Sequence, residues 1–187
     1  MGWLAPCGGG LALLIVVLVV AAIGIFNRLV TLRNRVENAW AQIDVQLRLR
    51  YDLIPNLVET VKAYAAHEKE TFERVIAARS SAMSAQSVAE HSQAENALTG
   101  TLKSLFALAE NYPDLKANQN FLMLQEELSG IESKIAYARQ FYNDSVMTYN
   151  TSQQTFPSNL VAGMFGHTPR DYFEIEEAAK EPVKVQF

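Results

Sequence analysis

Apolar side chains fall along this chain in two patterns, and each predicts a different element. From Leu11 to Phe26 they are nearly continuous: 12 of these residues are Leu, Ile, Val or Phe, and no charged side chain occurs before Arg28. At about −0.3 to −0.6 kcal/mol each, such residues favour membrane insertion by about 4–7 kcal/mol. As a helix the uncharged stretch Trp3–Phe26 reaches about 36 Å, enough to cross a hydrocarbon layer of about 30 Å. Beyond it the pattern turns periodic. Leu29, Leu32, Val36, Trp40, Ile43, Leu47, Tyr51, Ile54, Val58, Val61 and Ala65 advance 36 residues in ten steps, a period of 3.6. This is one buried stripe on a straight helix that continues the membrane segment. Pro55 removes a backbone donor and crowds the turn before it, so a kink is expected there and not an end.

A second amphipathic stretch runs from about Glu68 to Ala82 and dissolves into a serine-rich junction. Ser87-Val88-Ala89-Glu90 then has the form of a capping box, which opens a third helix. Tyr112-Pro113-Asp114 should stop it, because a residue preceding proline is pushed out of the α region. From Asn118 the stripe Phe121, Leu124, Leu128, Ile131, Ile135, Ala138, Tyr142, Ser145, Tyr149 has a period of 3.5, the spacing of a seam between packed helices. No segment alternates as a strand does. The expected fold is all-α, a single N-terminal transmembrane helix continuing into an elongated antiparallel helical bundle. The expected organisation is a tail and anchor over 1–27, a bundle over 28–156 with helices at about 28–65, 68–84, 88–111 and 118–155, and a C-terminal strap with an acidic tail over 157–187.

Charge sharpens this picture. All 36 acidic and basic residues, with the net −4, fall after Asn27, so the greasy average belongs to an anchor joined to an ordinary soluble surface. No basic excess draws the chain to nucleic acid. A cleaved signal peptide is the competing reading of the apolar run, but its positively charged start is missing. Arg28, Arg33 and Arg35 follow the span directly, so the positive-inside rule puts the N-terminus outside and the C-terminal domain in the cytoplasm. Cys7 is the only cysteine and precedes the apolar run, which excludes an intrachain disulfide and does not suit a lipidation site.

Candidate chemistry is sparse. Helical bundles that hold two metals use Glu-x-x-His repeats, yet Tyr64, Val88 and Met164 stand three residues before His67, His91 and His167. His67-Glu68 begins like a zinc-protease helix, but Thr71 stands where the second His belongs. No phosphate loop and no cysteine pair is present, so no enzyme activity, cofactor or metal is expected. Asp44, Arg48 and Asp52 stack on one helix face at i, i+4, i+8. They suit a partner-binding or ion-relay ridge, or an ordinary salt-bridged flank worth tenths of a kcal/mol. Arg33 and Arg35, with Glu37 and Asn38, form a polar collar beside the bilayer, suited to lipid headgroups or a neighbouring subunit. Phe156 to Phe173 is expected to dock on the bundle as an ordered strap, with Leu160, Val161, Met164 and Phe165 at helical spacing and Gly163 and Gly166 allowing turns; the alternative is an amphipathic segment that binds lipid or another protein.

With these residues in view, the chain resembles the bacterial LemA family. The likeness starts at Leu29-Val30-Thr31-Leu32-Arg33-Asn34-Arg35-Val36-Glu37-Asn38-Ala39-Trp40 and passes through Arg50-Tyr51-Asp52-Leu53-Ile54-Pro55-Asn56. It resumes at Tyr112-Pro113-Asp114-Leu115, Leu124-Gln125-Glu126-Glu127-Leu128, Tyr142-Asn143-Asp144 and Phe156-Pro157-Ser158-Asn159-Leu160-Val161-Ala162-Gly163-Met164-Phe165-Gly166. His167-Thr168 depart from the aromatic and basic residues common there, and the junction at 80–87 is looser than usual. The resemblance implies an anchored helical domain in the bacterial inner membrane, points to a magnetosome-membrane branch, and carries no established catalytic function.

The function expected is therefore a non-catalytic, membrane-anchored helical scaffold that self-associates and organises membrane or partner proteins. A membrane-anchored signalling adaptor is the alternative, and an enzyme with an unrecognised site a more distant one. Expected partners are membrane lipid, further copies of the chain and other membrane proteins.

Overall fold

A computed structural model describes residues 5–174, and the expected N-terminal tail before Ala5 and acidic run from Ile175 onward lie outside the described residues. The elements are α1 (Ala5–Lys62), α2 (Lys69–Ser84), α3 (Val88–Ala109), α4 (Pro113–Lys116), α5 (Gln119–Gln154) and α6 (Ser158–Met164). No strand occurs among the described residues, so the fold is all-α.

Local chemistry explains where these helices begin and end. α1 continues through Pro55 to Lys62, since the proline is exposed while Ile54, Leu57, Val58 and Val61 keep the same helix buried. Past Lys62 the chain tightens, Tyr64 bonding back to the Val61 carbonyl at 3.0 Å, so the stripe residue Ala65 is buried from a turn and not from the helix. The capping box at α3 forms in both directions, with the Glu90 amide on the Ser87 hydroxyl and the Glu90 carboxylate on the Ser87 amide. α3 stops at Ala109, before the Tyr112-Pro113 signal. Pro113 then opens the short α4, because a missing N–H costs nothing in a first turn, and α4 buries Leu115.

The chain divides into two compact units. The larger comprises Trp40–Tyr142 with the segment from Asp171, and it is an antiparallel bundle. As α1 is followed forward its partners on α5 run backward: Trp40 meets Tyr142 edge-on at 5.5 Å, Arg50 reaches Glu132 at 3.5 Å, and just beyond the end of α1 and before the start of α5 the Asn118 amide donates to the Tyr64 hydroxyl at 3.0 Å. α2 opposes α1, with Arg79 donating to the Tyr51 carbonyl at 2.7 Å. α3 runs with α1, placing His91 against Trp40 and Glu95 against Arg50. Ile43, Leu47, Ile54, Leu57 and Val61 of α1 join Val75, Leu98, Leu105 and Leu115 in a core with no solvent exposure. Each such side chain contributes about 1.5–3 kcal/mol. The end of the strap also packs here: Phe173 is buried beside Trp40 and under the Arg139 guanidinium, while Tyr142 and Ser92 donate to the carbonyls of Asp171 and Glu174.

The smaller unit comprises Met1–Ala39 and Asn143–Arg170. Its core is Leu29 of α1 with Val161 and Ala162 of α6, flanked by Ala22, Ile25 and Phe26. Gly166, at φ 68°, closes α6, and the next amide, His167, bonds to the Ala162 carbonyl at 3.0 Å. Here the expectation for the strap needs correction. Of the four residues expected to dock, Val161 is buried, Leu160 and Met164 remain exposed at 59% and 80%, and Phe165, 59% exposed, lies with its ring 4.7 Å from that of Phe26. A helix of two turns can bury only one narrow face, and that face belongs to Val161 and Ala162.

Candidate functional site

Of the residues singled out from the sequence, Asp44 and Arg48 pair at 2.9 Å on the flank of α1, with Arg48 73% exposed. Asp52 is also exposed, one turn further on. With Tyr51, Ala82, Met83 and His91 they line an open cleft of about 460 Å³. An exposed pair of this kind contributes about 0.2–1 kcal/mol.

The polar chemistry of the bundle lies two residues away. Arg50 is 2% exposed, Glu95 3%, and their side chains pair at 3.0 Å. Arg50 also donates to the Thr99 hydroxyl at 2.8 Å, and Tyr51 donates to the other oxygen of the Glu95 carboxylate. Glu132, half exposed on α5, approaches the guanidinium from outside at 3.5 Å. Burial raises the Glu95 carboxyl above its ordinary 4.5, opposed by the Tyr51 hydrogen bond and the Arg50 charge. Burial also raises the Tyr51 hydroxyl, reinforced by its bond to Glu95 and by that residue's charge. Tyr51 therefore keeps its proton and acts as a donor. Nearby, burial lowers the Arg139 guanidinium. This cluster ties α1 to α3 through a charge pair that water does not reach and to α5 through the half-exposed Glu132. The sequence did carry a signal for it. On α3, Ser92, Glu95, Leu98, Leu102, Leu105 and Ala109 are the buried positions, so Glu95 is a charge on the core stripe and requires a buried cation.

In the smaller unit the polar contacts are mostly neutral. The Asn150 side chain makes two bonds with the Arg170 backbone, donating to its carbonyl and accepting from its amide, each at 2.9 Å. The Gln153 amide donates to the His167 carbonyl at 2.6 Å, and the Tyr149 hydroxyl lies 3.0 Å from His167 Nδ1. Burial raises the Tyr149 hydroxyl, and burial followed by the Arg33 charge lowers the His167 imidazole below its ordinary 6.5. Both shifts favour Tyr149 as donor to a neutral ring. The collar residues sit beside these contacts: Glu37 lies 3.9 Å from Arg33 and 3.3 Å from Arg170, and Arg35 is exposed. Arg33 and Arg35 therefore hold different positions: Arg33 is half buried against Glu37, and Arg35 faces outward. Sequence reasoning missed Asn150, Gln153 and Arg170 because their partners are backbone groups, which leave no mark in composition. Asn150-Thr151-Ser152 matches a glycosylation pattern, but its asparagine is buried and its amide nitrogen donates to the Arg170 carbonyl.

α1 supplies the apolar surface that goes with the collar. Among the described residues it is the one helix long and apolar enough to cross a membrane, and the apolar window is wholly unburied by protein. In class this is an all-α protein whose N-terminal helix is compatible with a single-pass membrane anchor, and its family can be stated. The chain belongs to the LemA family, whose model matches residues 39–187. It is 28% identical over 145 residues to Protein LemA of Metamycoplasma hominis, an alignment covering 75% of this chain and 64% of that protein. It is also 28% identical over 90 residues to Magnetosome protein MamQ 2 of Paramagnetospirillum magneticum, covering 48% of this chain and 33% of the relative. Magnetosome protein MamQ of Magnetospirillum gryphiswaldense is 27% identical over 90 residues. The chain thus spans less than two thirds of the length of these relatives. None of their names is that of an enzyme.

Proposed function

We propose that this chain is a non-catalytic scaffold, anchored in the bacterial inner membrane by α1, whose bundle faces the cytoplasm and self-associates to organise the membrane or its proteins. The observation that carries the reading is α1 itself. Its first part exposes Leu11 to Ile23 with no charge, and its later part supplies the core stripe of a bundle. A rigid helix rooted in a plane restricts its copies to that plane and raises their effective concentration, so weak lateral contacts add up.

Two further features support it. Arg28, Arg33 and Arg35 follow the apolar run, which favours a cytoplasmic bundle. On the bundle, Val45, Tyr137 and Phe141 border an open groove of about 640 Å³ between α1 and α5, with Tyr137 75% exposed. An apolar groove of this kind suits a helix of a second copy.

Crosslinking in intact membranes followed by sizing of the detergent-extracted particle tests the proposal. The expected result is a discrete multiple of the 20.8 kDa chain. A strictly monomeric product under both conditions overturns self-association.

A further inference from the structure

Among the described residues of the smaller unit, the large exposed apolar side chains other than Met147 on α5 form two sets. One is the membrane run of α1. The other is Phe156, Leu160, Met164 and Phe165, between 59% and 80% exposed. Phe156, Leu160 and Met164 are four residues apart, so they share the outward face of α6 and its approach. The opposite face, Val161 and Ala162, packs on Leu29 with Ala22, Ile25 and Phe26, and the Phe165 ring lies 4.7 Å from that of Phe26. α6 is therefore docked on the last turns of the apolar run, at the level where the exposed belt of α1 ends.

The surrounding sequence fits the same surface. From Ser145 to Pro169 there is no Asp, Glu, Lys or Arg, although charged residues make up 19% of the chain. A helix facing water has no reason to exclude charge, whereas one facing acyl chains does. Basic residues border this segment: Arg28 and Arg35 are exposed beside the membrane run, and Arg170 ends the neutral stretch. Apolar side chains flanked by arginines are the pattern of a segment lying in the headgroup layer.

We propose that α6 is a second membrane contact: it lies in the boundary between headgroups and acyl chains of the leaflet that α1 leaves, with Phe156, Leu160, Met164 and Phe165 in lipid. The contact fixes the chain against the bilayer at two places, which restricts rotation of α1 about its own axis. This inference rests on the reading of α1 as a membrane span.

The test uses the full chain with Cys7→Ser, carrying one environment-sensitive fluorophore at Met164→Cys or, separately, Leu160→Cys. Each is reconstituted into vesicles of phosphatidylethanolamine and phosphatidylglycerol that contain lipids spin-labelled near the headgroup end of the acyl chain. Labels at Leu18→Cys in the apolar run and Met83→Cys on α2 serve as references, and circular dichroism confirms helicity. The expected result is loss of about half the fluorescence to the lipid quencher at positions 160 and 164, with protection from aqueous iodide, as for a shallowly inserted helix. Iodide quenching at 160 and 164 with lipid quenching at 18 overturns the α6 contact and leaves the span standing. Absence of lipid quenching at 18 overturns both. Protection from both quenchers that disappears on diluting protein in lipid means that a second copy covers α6, and overturns the lipid assignment.

Discussion

The two units bury polar groups in opposite ways. The bundle encloses a full charge pair, Arg50 with Glu95, and satisfies it with Tyr51 and Thr99. The smaller unit holds its C-terminal segment with neutral amides and hydroxyls, Tyr149, Asn150 and Gln153, and leaves its charges at the surface. Both units leave apolar side chains exposed, Val45, Met123 and Tyr137 on the bundle and Phe156, Leu160 and Met164 on the smaller unit. Under the proposed membrane placement, the difference in polar groups tracks the solvent each unit faces. A bundle closed against water can carry one internal ion pair as a register pin between helices. A unit beside a membrane gains more from neutral contacts, since a charge near lipid costs more than a hydroxyl or amide.

The strongest way to break the comparison is Arg50→Met. It leaves the Glu95 carboxylate buried without its cation and should destabilise the bundle by about 3–5 kcal/mol, read from thermal unfolding of the detergent-solubilised chain. Adding Glu95→Leu should recover most of that loss, because the penalty is the orphaned charge and not the missing pair. A single variant that unfolds like the parent would mean that the pair is not a buried element at all.

Asn150→Ala is the matching change in the smaller unit. Removing both bonds to Arg170 should cost about 1–3 kcal/mol locally. Hydrogen exchange should show faster opening of residues 167–170 while the α1–α3 contacts near Arg50 keep their protection. Equal loosening of both regions would remove the distinction between the units.

The smallest expected effect is that of pH, and its sign differs between them. The folded value of Glu95 lies above 4.5, so the fold disfavours its charged form; this contribution is full below 4.5 and declines as pH rises through the folded value. The folded value of His167 lies below 6.5, so its contribution is full above 6.5 and declines as pH falls through the folded value. Mild acidification should therefore loosen 165–170 and spare the Glu95 cluster, as followed by exchange rates corrected for intrinsic pH dependence. His167→Phe should abolish the loosening, and its persistence in that variant would assign the effect elsewhere.

What the sequence determined by itself is local and periodic. The stripe from Leu29 to Val61 places the buried face of α1 because every turn repeats the same choice. Ser87 and Glu90 set the start of α3 because a capping box closes within four residues. The uncharged run marks a segment apolar enough to cross a membrane because insertion sums over residues without regard to their neighbours. Tertiary structure decided everything that depends on a partner. Arg48 and Arg50 are two residues apart and read alike in sequence, yet one is 73% exposed and the other is enclosed, because α3 brings Glu95 to one side of α1 only. The choice of Val161 and Ala162 over Leu160 and Met164 for burial was settled by how α6 rests on Leu29. The bonds that Asn150 makes end on backbone atoms, which every residue has, so no side-chain pattern could announce them.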